Sequence, residues 1–193
     1  MTKQLSRGLA VLLSCVAMAC AVEGDQSKAD ERVNPDALLM RDFQKRVDAY
    51  MDLHKKLEKE SPPEKETKDP AKIKASEDVL AQKLQAARAD AKAGDIFTPE
   101  IRQLFRRLMY PELKGAEGAE TKQTLKDDAP KGVPMKVNAK YPEAAPLPTV
   151  PPNLLAALPK LPEDLEYRIV NKDLILRDVH ANLIVDFIPN AIR

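Results

Sequence analysis

Four side chains near the C-terminus, Arg177, Asp178, His180 and Asp186, have the types and spacing that chemistry would need. Asp178 and His180 stand two residues apart, so a continuing strand puts them on one side, where a carboxylate can orient an imidazole. With Arg177 beside them and Asp186 returning through a hairpin, the set would suit a small hydrolase or a generic metal site. No serine or cysteine nucleophile accompanies it, and one histidine with two acids is a weak ligand set. The expectation is therefore structural: Asp178 or His180 closes a tight turn, and Arg177 pairs with Asp186 across the strands.

The other histidine, His54, belongs to an apolar helical stripe, where its ring is expected to pack at the edge with one nitrogen exposed. Met51 is its neighbour on that helix, and nothing around the two suggests a haem pocket. The chain has no glycine-rich nucleotide loop, no His-Glu-x-x-His motif and no acidic calcium loop. Its four tyrosines and four phenylalanines are too scattered to form a stacking platform for sugars or bases. The reading at this level is no catalytic residue, no cofactor and no metal.

The elements that would position these residues are readable from periodicity. Leu165–Val170, Leu174–Val179 and Leu183–Ile188 are β-prone runs, separated by turn-like Asn171-Lys172-Asp173 and His180-Ala181-Asn182, which predicts a three-stranded antiparallel meander. Leu165, Tyr167 and Ile169 mark one face, and Leu174, Leu176, Val185 and Phe187 are expected to continue it. Helices must cover that face. Asn34-Pro35 starts the first, with Leu39, Phe43, Val47, Tyr50, His54 and Leu57 at spacings of three and four. After the polar stretch Glu60–Pro70, a second helix carries Ile73, Leu80, Leu84, Ala87 and Ala91, with Gly94 as its expected end. Thr98-Pro99 starts a third, which buries Ile101, Leu104, Phe105, Leu108 and Met109 and projects Arg102, Arg106 and Arg107. Weaker helical stretches are expected at 117–125 and 153–158.

Nine of the 16 prolines fall between residues 130 and 162, which rules out a regular helix or inner strand there. Val133, Met135, Val137, Tyr141, Leu147 and Val150 within that stretch predict that it wraps over a core. A polyproline recognition segment is the functional alternative.

The N-terminus reads as an address. Lys3 and Arg7 precede an apolar run from Leu9 to Ala19, which as a helix would reach about 16 Å against a hydrocarbon core of roughly 30 Å. That is the layout of a secretory signal, not of a spanning helix. Ala17-Met18-Ala19-Cys20 places a cysteine at the cleavage point, as bacterial lipoprotein signals do, so lipidation at Cys20 is expected; ordinary signal cleavage is the alternative. Both cysteines, Cys15 and Cys20, lie in this region, which excludes an internal disulfide framework or thiolate cluster further on. Removing residues 1–19 takes away two bases and no acid, leaving 29 bases against 30 acids. Such a mixed, near-neutral surface argues against a nucleic-acid partner.

The tail PPNLLAALPKLPEDLEYRIVNKDLILRDVHANLIVDFIPNAI, residues 151–192, with the approach VNAKYPEAAPLPTV, resembles the ending of a group of bacterial exported proteins and lipoproteins of no known activity. The resemblance implies export and no reaction. The expected fold class is α+β: a signal over 1–19, a flexible tether over 20–33, a helical region over 34–129, and over 130–193 a proline-rich segment and small β meander packed with the helices as one domain. The expected role is a non-enzymatic cell-envelope lipoprotein held to a membrane by its lipid, with an envelope protein as possible partner.

Overall fold

A computed structural model of the 193-residue chain describes residues 34–61 and 69–192. The expected signal, the Cys20 lipidation point and the tether lie outside the described residues. The described residues form one compact unit, and the fold is α+β, with helices first and a three-stranded antiparallel sheet after them. Among the described residues no helix is long and apolar enough to cross a membrane.

Helix α1 spans Pro35–Lys59 and begins as its sequence dictates. Asn34 accepts a hydrogen bond from the Asp36 amide at 3.0 Å, and Pro35 occupies a position whose amide has no helical partner anyway. Phe43, Val47, Tyr50, Met51 and His54 are its buried residues. Helix α2, Pro70–Ala87, is capped by Asp69 and packs against α1 through Leu80, Ala81 and Leu84. It stops seven residues before Gly94: the Arg88 amide still donates to the Leu84 carbonyl, but the Arg88 carbonyl accepts from Asn138 Nδ2 at 2.6 Å and its guanidinium reaches Asn138 and Val185, so the chain turns away there. Helix α3, Pro99–Met109, buries Ile101, Leu104, Phe105 and Met109. Two of its arginines are not free: Arg106 donates to the Pro189 carbonyl at 2.7 Å, and Arg107 pairs with Asp36 at 2.5 Å. A short 3-10 turn, Pro111–Leu113, leads into α4, Gly115–Asp127, and a six-residue α5 covers Pro152–Ala157. The turn and α4 meet closely: a Cβ on Gly118 would lie 2.2 Å from the Leu113 carbonyl carbon, so only glycine fits.

Strands β1 (Leu165–Val170), β2 (Asp173–Asp178) and β3 (Leu183–Ile188) lie in sequence order. Asn171 and Asn182, in the two connections, take left-handed φ values of 57° and 51°, which asparagine tolerates better than most residues. One sheet face, with Leu165, Tyr167, Ile169, Leu174, Leu176, Leu183 and Val185, joins the helices in a single core. Phe43, Phe97 and Phe105 pack at its centre with ring centroids 4.9–5.7 Å apart.

The other face is covered by the proline-rich segment. Tyr141 packs there on Val170, Ile175 and Ile184, with Val133 and Met135 alongside. The segment also closes the β3 edge: Asn138 donates to the Ile184 carbonyl, Ile184 to that of Ala139, and Tyr141 to that of Asn182. Wrapping therefore occurs as expected, although Leu147 stays exposed. With cover on both faces, β2 is buried along nearly its whole length.

A β-bulge interrupts β3. Leu176 pairs with Asp186 and Arg177 with Ile184, leaving Val185 extra. The bulge puts both Val185 and Asp186 toward the helices and moves Phe187 to the proline-rich face, against the alternation read from sequence. The Val185 carbonyl accepts from Arg88 at 3.1 Å.

Candidate functional site

The four C-terminal polar residues do not converge. Arg177 points to the proline-rich face, where it donates to Glu166 at 2.6 Å and to Asn182 Oδ1 at 2.8 and 3.1 Å. It does not pair with Asp186. Asp186 is fully buried at the bulge, and its carboxylate accepts the backbone amides of Gly94, Ile96, Phe97 and Phe187 at 2.7–3.2 Å. It thereby fixes the loop between α2 and α3, including Gly94 at φ 108°, a conformation L side chains rarely adopt.

Asp178 lies at the far end of the same sheet face, also fully buried. One carboxylate oxygen, Oδ1, accepts the Ala181 amide at 2.8 Å and so closes the β2–β3 turn, the role expected of either Asp178 or His180. The other, Oδ2, accepts the Tyr50 hydroxyl at 2.6 Å and faces His54 Nδ1 at 2.7 Å. Burial alone would raise the Asp178 carboxyl, but the hydrogen bond and charge of His54, with the Ala181 and Tyr50 bonds, hold it below the usual carboxylate range. An ionised carboxylate can only accept, so His54 Nδ1 carries the proton between them. Burial opposes charge on His54 too. Asp178, with Glu58 and Asp164 further out, outweighs it and raises the imidazole above its ordinary value. Tyr50 is pushed well above the phenol range, first by burial and then by Asp178. Arg88 stacks over its ring at 4.9 Å and ties the network to Asn138 through a 2.8 Å bond.

His54 is the functional candidate that periodicity misplaces. Its ring is not at the edge of the stripe but fully buried, and its outer nitrogen, Nε2, has no hydrogen-bond partner. Above it lie His180, with ring centroids 6.0 Å apart, and Glu58. Tyr50, His54 and Glu58 follow one another at four-residue steps on α1 and so share one face. His180 comes from the β2–β3 turn, half-exposed, with Nδ1 3.5 Å from Asp164 and 3.7 Å from Glu58. Asp178 orients an imidazole, but that of His54, 124 residues away, and not that of its near neighbour His180. The signal for His54 was present in the sequence: a polar ring on a long apolar stripe must find a partner if the stripe is buried.

No family model, curated protein or solved structure matches this chain.

Proposed function

We propose that the protein is a non-enzymatic bacterial cell-envelope lipoprotein, anchored through Cys20, whose folded part is a structural or protein-interaction module. The observation that supports an interaction role is the asymmetry of the sheet. The β3 edge is occupied by residues 138–141, whereas among the described residues no strand pairs with the outer edge of β1. A groove of about 410 Å³ runs beside β1, lined by Val150, Leu155, Leu158, Leu161 and Tyr167, with Glu166 and Arg168 at its polar rim. A strand edge that no other strand occupies, beside an apolar groove, is the geometry that captures an extended polypeptide by adding a strand. The 14 residues from Cys20 to Val33 would let such a module stand up to about 45–50 Å from its anchor. A hydrolase is not favoured, because Arg177 and Asp186 are engaged with other residues on separate parts of the sheet.

The anchor is tested by labelled palmitate: incorporation and globomycin-sensitive processing should both vanish in Cys20→Ser, and normal maturation without lipid would overturn it. The interaction is tested with a photo-crosslinker at Leu155, activated in cells before membrane extraction. One stoichiometric envelope protein should be captured there and not from the exposed face of α1. Equal capture from both positions would reject the groove.

A further inference from the structure

We infer that His54, Glu58 and His180 form a binding site for a divalent first-row transition metal ion, with zinc the best-suited probe. The inference is independent of the lipid anchor and of the β1 groove.

One ligand atom from each of the three side chains lies within 4.8 Å of the others. Tetrahedral zinc at about 2.0–2.1 Å from its donors separates them by about 3.3 Å, so the ligands need to close by up to about 1.5 Å. The two that must move are at the surface: the side chains of His180 and Glu58 are 54% and 50% exposed. The third is rigid. His54 is held in the core with Nδ1 against Asp178, and its Nε2 is buried without a hydrogen bond. A buried polar atom without a partner is uncommon and calls for a physical account; coordination supplies one.

The surroundings match what metal sites require beyond their ligands. With its proton on Nδ1 and donated to a carboxylate, the neutral imidazole presents the Nε2 lone pair outward, the carboxylate–histidine arrangement that fixes tautomer and ring plane in metal centres. Asp178 is in turn oriented by Tyr50 and the Ala181 amide. Three carboxylates, Glu58, Asp164 and Asp178, lie around the two imidazoles and can balance a dication. Two nitrogens and one oxygen suit zinc and its transition-series neighbours; calcium and magnesium prefer oxygen alone. Three protein ligands would leave at least one coordination position to water or a small anionic ligand.

The test uses the full-length protein stripped with a chelator and titrated with zinc by calorimetry, then with cobalt(II) by visible absorption. Wild type should bind one saturable equivalent, and cobalt should give the visible bands of a four- or five-coordinate ion. His180→Ala and Glu58→Gln should each weaken binding at least tenfold while leaving the metal-free melting temperature unchanged, since both side chains are exposed. His54 is replaced only in a third variant, because its loss from the core can unfold the protein. Asp178→Asn tests a positioning role and should weaken binding about tenfold to a hundredfold. Absence of a saturable equivalent in wild type would overturn the inference. So would binding undiminished in both exposed-ligand variants, which would place the ion elsewhere, for example on the thiols of Cys15 or Cys20.

Discussion

Asp178 and Asp186 are the same residue type, both fully buried, on the same face of one small sheet, yet they are partnered differently. Asp186 is surrounded by backbone amides from a single loop and by that of its own neighbour. Its donors cannot change their protonation or leave without unfolding the loop. Asp178 accepts one amide and two side chains, and one of those, His54, passes the interaction outward to His180 and Glu58 near the surface. A carboxylate served by main chain acts as a fastener, while one served by titratable side chains can sense what lies beyond them.

That contrast can be broken at either end. Asp186→Ala should have the largest effect, about 4 kcal/mol, because the amides of Ile96 and Phe97 would stay buried without an acceptor. Urea denaturation measures the loss, and hydrogen exchange should localise it to residues 94–97; a loss under about 1 kcal/mol would mean that water or another group replaces the carboxylate. Asp178→Asn should cost less, about 2 kcal/mol, since the side-chain oxygen can still accept one or two of its bonds. Equal costs at the two sites would erase the distinction drawn between them. Tyr50→Phe removes a single donor to Asp178 and should cost about 1 kcal/mol. It should leave the Asp178–His54 contact intact, visible as an unchanged shift of the His54 ring protons.

The smallest expected effect concerns a third carboxylate, on the opposite face. Burial would raise Glu166, but hydrogen bonds from Arg168 and Arg177 more than offset this and lower it below its ordinary value of 4.5. Its contribution to stability is therefore fully present above about pH 4.5, where the unfolded chain is also ionised, and is lost as pH falls through the lower folded value. Glu166→Gln should flatten the acid limb of the stability curve below pH 4.5 and leave its shape near neutrality unchanged. An identical acid limb in the variant would remove Glu166 from the account.

Local signals carried much of the architecture. Asn34-Pro35 and Thr98-Pro99 start helices because capping and proline geometry need no tertiary partner. The three strands are legible because short β-prone runs are bounded by turn-like residues, a signal that needs no tertiary partner. The proline-rich stretch could be placed as a wrap from its composition, but not as the cover of a particular edge. What stayed illegible depends on distance. The bulge at Val185 reverses the side of Phe187, and no local residue type announces it. The end of α2 at Ala87 depends on Arg88 meeting Asn138 and Val185, 50 and 97 residues further on. At the site, His180 and Asp178 were recognisable as polar residues near a turn, whereas Tyr50, His54, Glu58 and Asp164 become their neighbours only in the folded chain. An aspartate inside the run LIVDFI was itself a clue, since a carboxylate within a buried strand must be supplied with donors.

The 124 and 128 residues that separate Asp178 from His54 and Tyr50 also set an order of events. A growing chain presents α1 before β2, and its histidine has no carboxylate to face until β2 has been made and the β2–β3 turn has closed. Bringing the two together closes a loop of 124 residues, a non-local contact that forms slowly. The junction therefore ties the first described helix to a strand far along the chain: a molecule lacking residues 178–193 would keep α1 and lack the carboxylate its histidine faces.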